Sequence, residues 1–273
     1  MTIWEGNYNV LNDALNNALE ERNNRDTFEA EMFDMTKLFW RSYGVLKGLK
    51  ENSILLETCI LAIHYIFKHP LSIADIGGGC GMHLIDILNA GLEKAVDKYY
   101  LIESKQMSDS ANRMNSTKEK AIILNGFPYN LSSEIDALDI DLIYLNCSFQ
   151  YIFPTEKSVE KMKDLNPKVI CIDRVLAGQI QTFYTVQKNL KYDTVAKFMN
   201  EDEFISLFEL NGYEMVYKYE RNFNWDMDNF KEEIRLKKLP SYIFIRKDQA
   251  IYKEQITKCI NGYILQGISF FML

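Results

Sequence analysis

Leu71-Ser72-Ile73-Ala74-Asp75-Ile76-Gly77-Gly78-Gly79-Cys80-Gly81 is the stretch that decides the fold. Its apolar run, bounded by turn formers, reads as a short buried strand. The strand runs directly into glycines at alternate positions, Gly77, Gly79 and Gly81, and then into a helical pattern with Leu84, Ile85 and Leu88 on one face. Glycine lets the backbone turn sharply there and lets a ligand approach, because no Cβ stands in the way. A dinucleotide fingerprint needs Gly-x-Gly-x-x-Gly, with a pyrophosphate on the helix N-terminus. Here the third glycine comes one residue early, and Met82 stands where that pattern wants glycine. Asp75 lies two residues before the first glycine, at the carboxyl end of the strand. A carboxylate aimed into a phosphate site would repel it, and suits a ligand with a cationic amine instead.

Working outward, residues 1–70 read as helical. Leu11, Leu15, Ala18 and Leu19 recur at helical spacing, as do Ile54, Thr58, Leu61 and Tyr65 before His69-Pro70, and no strand alternation is visible. After the glycine loop, strands are expected over 99–102 ending at Glu103, 121–124 ending at Asn125-Gly126, 141–145, and 169–172 ending at Asp173-Arg174. Helical segments lie between several of them, which argues for a parallel sheet. A further helix over 201–210 stops at Asn211-Gly212, and two more strands follow over 213–219 and 242–246. The polar segment 221–239 between those two reads as a surface insertion. The expected architecture is α/β and Rossmann-like, with a mostly parallel seven-stranded sheet. A helical N-terminal cap covers 1–70, the main domain 71–247, and a C-terminal tail 248–273, apolar from Ile256 and packed on the body or on a partner.

Composition sets the limits. The chain has 273 residues, 47% of them apolar, enough for a sizeable core. A net charge of −7 argues against the broad basic face of a nucleic-acid binder, while leaving room for a local basic pocket. No run reaches the roughly 20 apolar residues needed to span a bilayer. The opening Met1-Thr2-Ile3-Trp4-Glu5 lacks the basic and apolar regions of a signal peptide, so a cytoplasmic location is expected. Cys59, Cys80, Cys147, Cys171 and Cys259 are dispersed and read as reduced, mostly buried thiols. His64, His69 and His83 match no metal signature, and no Gly-x-Ser-x-Gly elbow is present.

Ligands of open parallel sheets bind outside the carboxyl ends of the strands, so polar residues there are the first candidates. Glu103 is suited to accept both ribose hydroxyls of a nucleoside; the alternative is an exposed acid at a strand end. Asn125, Gly126 and Phe127 could flank an adenine ring, or form an ordinary turn with a core Phe. S-adenosylmethionine unites such a nucleoside with the cationic amine that suits Asp75. Asn146-Cys147-Ser148-Phe149-Gln150-Tyr151 would then face its methionine portion and the transferred methyl, with Cys147 read as a packed thiol. His83, in the first turn after the glycine loop, is a candidate base, or else a capping or solvent-facing residue. Asp173 can orient a ligand and Arg174 can grip an anion with two parallel hydrogen bonds; the alternative is a structural ion pair at the strand end.

The loop 75–81 with an acid ending the second strand resembles motif I of class I S-adenosylmethionine-dependent methyltransferases. Trp4-Glu5-Gly6-Asn7-Tyr8, Ser148-Phe149-Gln150-Tyr151, Ile172-Asp173-Arg174 and Thr185-Val186-Gln187-Lys188 are further similar to a methyltransferase family of bacterial capsule and O-antigen gene clusters. More narrowly, the chain looks like the methyltransferases of capsular O-methyl phosphoramidate assembly. The resemblance spans roughly residues 3–247. It departs where that family usually carries Trp-Phe-Ser and this chain has Ala196-Lys197-Phe198-Met199-Asn200, which bears on the acceptor pocket.

The resemblance implies S-adenosylmethionine as cofactor and S-adenosylhomocysteine as product. Asp75, Gly77, Gly79, Gly81, Glu103, Asn125, Phe127, Asn146 and Ser148 would bind the cofactor. Trp4, Gln150, Asp173, Gln187 and Lys188 would line the acceptor pocket, with Glu5, Tyr151, Arg174 and His83 at the chemistry. An anionic acceptor oxygen needs no base, whereas a sugar hydroxyl would need Glu5 or His83. The expected partner is a small-molecule acceptor, phosphorylated or nucleotide-linked, and a homo-oligomer is an open option. Two other readings stay open: a catalytically inactive partner subunit on this fold, and a nicotinamide-dependent oxidoreductase.

Overall fold

Short apolar runs build the strands, and the seven strands expected between residues 71 and 246 form a single sheet in the computed structural model. The structure describes residues 4–18, 25–41, 54–126, 139–188 and 193–270. In chain order the elements begin with β1 (Trp4–Tyr8), α1 (Leu11–Ala18), α2 (Arg25–Arg41), α3 (Ile54–Phe67), β2 (Leu71–Ile76), α4 (Met82–Asn89) and β3 (Val96–Glu103). Then come α5 (Lys105–Asn112), α6 (Asn115–Lys118), β4 (Ile122–Asn125), β5 (Leu142–Asn146), α7 (Thr155–Asp164), β6 (Val169–Asp173) and β7 (Ala177–Gly178). The last are β8 (Phe183–Lys188), β9 (Asp193–Asn200), α8 (Glu201–Leu210), β10 (Tyr213–Asn222), β11 (Lys238–Arg246) and α9 (Lys253–Phe270).

The large sheet has the order β10-β11-β6-β5-β2-β3-β4. Its pairs from β6 to β4 are parallel, and β11 runs antiparallel to both neighbours. From β2 the chain winds outward through β3 to β4 and then returns to β5 on the other side of β2. The carboxyl ends of β2 and β5 therefore flank a topological switch point, the crevice where open sheets bind ligands.

Residue parity assigns the two faces of the sheet. Ile73, Leu101, Leu142, Tyr144, Cys171 and Ile243 point to one face, where Leu56, Ile60 and Ile63 of α3 and Leu84 and Ile87 of α4 cover them. Ala74, Ile102, Ile143, Leu145, Ile170 and Phe244 point to the other, under Val159 and Met162 of α7 and Phe204 and Phe208 of α8. Phe208 and Phe244 stack with ring centroids 4.4 Å apart. Helix α8 starts cleanly because the Asn200 side chain accepts from the backbone N–H groups of Asp202 and Glu203. Ile256 and Ile260 of α9 join the α3 side of the core, so the tail packs on the body.

Two features depart from the sequence reading. Residues 4–8 form a strand, not part of a helical cap, and pair antiparallel with β8 in a second sheet ordered β1-β8-β9-β7. Only Trp4 of that strand is fully buried, which hid its alternation. The segment 221–239 is no surface insertion: Met227, Phe230, Ile234 and Leu236 are buried with Trp4, Phe183 and Phe198 as the core of the second sheet. Met227, Phe230 and Ile234 keep a helical spacing while Ile234 and Leu236 keep that of a strand, so no single period marks the segment.

Candidate active site

The polar residues at the strand ends share one face. Asp75, Glu103, Asn146 and Asp173 each lie two residues beyond a side chain of the α3–α4 core, namely Ile73, Leu101, Tyr144 and Cys171. A period of two therefore turns all four toward α4, the helix that leaves the glycine loop.

The loop itself is held in a conformation that favours glycine. Gly77, Gly79 and Gly81 have φ of 75°, 63° and 92°. A Cβ at Gly77 would lie 2.5 Å from the Cβ of Ser148. Ser148 in turn donates to the carbonyl of Ile76 at 2.9 Å, so the segment after β5 is tied to the end of β2. Among the described residues, a Cβ at Gly79 would meet only Met32 Cε of α2, at 2.9 Å. Glu103 Oε1 accepts the Gly79 N–H at 2.7 Å, and Oε2 accepts the Ser104 N–H at 2.9 Å. Burial pushes the Glu103 carboxyl up to about 7 against the pull of those two donors. Glu103 is thus a buried acid built into the loop, not the exposed strand-end acid of the alternative reading.

Beside the loop runs a chain of side-chain hydrogen bonds. Arg174 Nε donates to Asn146 Oδ1 at 2.9 Å, and Asn146 Nδ2 lies 2.9 Å from His83 Nε2. His83 Nδ1 lies 3.0 Å from Asp75 Oδ2, which also accepts from the Tyr99 hydroxyl. Asp75 is fully buried and its other oxygen, Oδ1, has no hydrogen-bond partner among the described residues. Its carboxylate faces His83 and Tyr99 rather than reaching a ligand through Oδ2. His83 is neither a helix cap nor solvent-facing: its ring packs edge-on against Tyr144 with centroids 5.1 Å apart.

The neighbouring residues Asp173 and Arg174 do not pair with each other. Asp173, fully buried, accepts from Ser241 Oγ at 2.5 Å, Arg221 Nη1 at 3.3 Å and the Tyr144 hydroxyl at 3.4 Å. With three protein donors and no exposed surface, it serves as a structural acid. Arg174 is half-buried, has a left-handed φ of 58°, and has no carboxylate partner among the described residues. Ser241 fixes that backbone by accepting the Arg174 N–H at 3.2 Å. Sequence reasoning missed Tyr99, Tyr144, Arg221 and Ser241. Arg221 and Ser241 come from the antiparallel β10–β11 hairpin, whose pairing with β6 no local pattern announces.

The remaining expected residues gather on the second sheet. Tyr151 donates to Gln187 Oε1 at 2.6 Å, which joins the segment after β5 to β8. Lys188 is paired with Asp193 and, at 3.4 Å, with the exposed Glu5, so its charge is already matched. Trp4 is buried against Phe198, with ring centroids 5.0 Å apart, and Gln150 is buried too; both are packing residues rather than open pocket walls. Cys147 is half-buried and burial pushes its thiol up, as suits a packed thiol. Asn125 is exposed at the end of β4, and Phe127 lies outside the described residues.

No protein family model and no curated protein matches this sequence. Solved structures do. A methyltransferase in complex with the Haloferax volcanii Trm112 methyltransferase activator aligns with a TM-score of 0.51 and 13% identity, over 82% of this chain and 96% of that one. An S-adenosylmethionine-dependent methyltransferase from Clostridium acetobutylicum aligns at 0.48 and 13% identity, over 72% and 92%. The 1,6-didemethyltoxoflavin-N1-methyltransferase of Burkholderia thailandensis, whose structure holds its substrate and S-adenosylhomocysteine, aligns at 0.47 and 12%, over 82% and 91%. The likeness is one of fold: the sheet is that of a Rossmann-like class I methyltransferase.

Proposed function

We propose that this protein is an S-adenosylmethionine-dependent methyltransferase that methylates an anionic oxygen of a small molecule. The observation that carries the reading is the pairing of the glycine loop with Glu103 at the switch point of the sheet. The cofactor fits the residues present. A carboxylate offers about four lone-pair sites; Gly79 and Ser104 use two, which leaves capacity for a ribose diol. Gly77, Gly79 and Gly81 would let the backbone approach the cofactor, and Ser148 and Asn146 would lie on its methionine side. When bound, the cofactor supplies a methyl group already activated on a sulfonium.

Transfer is then a matter of placing the acceptor in line with that methyl. Arg174 offers a planar, always charged group beside Asn146, suited to hold an oxyanion through two parallel hydrogen bonds. Both candidate bases are otherwise engaged: His83 Nε2 with Asn146, and Glu5 with Lys188. That favours an acceptor that is anionic from the start over a neutral hydroxyl. The resemblance to capsule-cluster methyltransferases suggests a phosphorylated, phosphoramidate or uronate intermediate of surface-polysaccharide assembly. The test is methyl transfer from labelled cofactor to phosphoryl, phosphoramidate, uronate and neutral sugar acceptors. Turnover is expected with an anionic acceptor and strongly impaired in Arg174→Lys, whose point charge cannot reproduce the fork. Turnover confined to a neutral sugar, with Arg174→Lys fully active, would overturn the reading.

A further inference from the structure

We infer that His83 is a positioning residue: it holds Arg174 in place through Asn146, and this hold exists only while His83 Nε2 carries no proton. The inference rests on the reading of Arg174 as the acceptor's anchor only in its consequence for catalysis; the hydrogen-bond chain stands by itself.

The direction of every bond follows from what each group can do. An arginine Nε–H only donates, so Asn146 must turn Oδ1 to it, at 2.9 Å. That leaves Nδ2, also only a donor, 2.9 Å from His83 Nε2, which must accept. The ring proton therefore sits on Nδ1, directed at Asp75 Oδ2 at 3.0 Å. All donors run one way, from Arg174 to Asp75, and the side chain of Asn146 has no second arrangement that satisfies both neighbours. A proton on Nε2 would set N–H against N–H. Rotating the Asn146 amide would relieve that clash and create the same one at Arg174. One proton on His83 thus breaks a bond at a guanidinium two links away. That bond is the only side-chain hydrogen bond Arg174 makes among the described residues, since Ser241 holds its backbone and not its guanidinium.

The groups facing the imidazole set its balance. From β2 comes Asp75, from β3 Tyr99 behind that carboxylate, from its own helix Asp86, from β5 Tyr144 edge-on, and from beyond β6 Arg174. Burial and Arg174 oppose a second proton on the ring; Asp75 and Asp86 favour it and prevail, so His83 titrates above its ordinary 6.5. The switch is therefore displaced to higher pH than that of an ordinary imidazole. Acceptor affinity should be lost on acidification, while Arg174 itself stays charged throughout.

Nitrogen NMR of the full chain, labelled at histidine and arginine, tests the chain without any substrate. Above the titration, His83 should carry its proton on Nδ1. On acidification Nε2 should gain one, and the Arg174 Nε–H signal, assigned by its loss in Arg174→Lys, should move with the same midpoint. In His83→Gln, whose amide can accept from Asn146 and donate to Asp75 at any pH, the Arg174 signal should no longer move. At saturating cofactor, the acceptor KM should rise about tenfold or more across that midpoint, and this rise should vanish in His83→Gln. A proton on Nε2 at high pH, or an Arg174 signal indifferent to His83, would overturn the inference. Coupled signals with a flat KM would uphold it and instead remove Arg174 from acceptor binding.

Discussion

Glu103 accepts the backbone N–H of Gly79 at 2.7 Å, so the acid ending β3 and the glycine turn after β2 form one unit. Its second oxygen is held by Ser104, which caps the first turn of α5. The carboxylate is fixed in place at the crevice between β2 and β5, and a nucleoside diol would find both its orientation and its charge prepared.

That charge depends on pH. Burial raises the Glu103 carboxyl from 4.5 to about 7, so between those values the folded free protein holds a proton that the unfolded chain has lost. Stability of the free protein should therefore fall as pH rises through this window. Hydroxyl donors favour the ionised acid. Cofactor affinity should thus increase with pH, level off above about 7, and be accompanied by proton release. Calorimetric titrations in buffers of different ionisation heat measure that release, and Glu103→Gln should abolish it.

Gly79→Val should eliminate cofactor binding and leave a folded protein. The φ of 63° is costly for a side chain, by about 1–2 kcal/mol and more for a β-branched one, yet among the described residues the added Cβ meets only the movable end of Met32. Circular dichroism should show an intact fold beside a lost binding isotherm. An equally tight complex would mean that the loop is only a turn.

Asp173→Ala should act on stability. It strips the partner from Arg221 in a buried setting and leaves Ser241 and Tyr144 without their acceptor. Breaking a buried pair from one side costs about 3–5 kcal/mol, which denaturant titration would resolve. A loss below about 1 kcal/mol would place the pair among surface bridges.

Much of this was legible in the sequence. The seven strands of the large sheet followed from apolar runs, and Asp75, Glu103, Asn146 and Asp173 stood out as polar residues at or just past their carboxyl ends. Which partner each would take was not legible. Asp173 meets Arg221 and Ser241 only because a hairpin 40 or more residues later pairs back onto β6, as Ile172 does with Tyr242. The second sheet was hidden for a related reason: β1 and β8 pair across most of the chain, Trp4 opposite Gln187. Lys188 illustrates the cost of reading charge alone, since Asp193 and Glu5 neutralise it.

The central claim is that S-adenosylmethionine binds at the glycine loop with its ribose on Glu103. Calorimetric titration of the wild type and Glu103→Ala with S-adenosylhomocysteine, and of the wild type with NADH, tests it most directly. The account predicts binding of S-adenosylhomocysteine, no binding of NADH, and an affinity lower by about 1–3 kcal/mol in Glu103→Ala, from lost hydrogen bonds to a charged group. Absence of S-adenosylhomocysteine binding, or an affinity unchanged by Glu103→Ala, would contradict it.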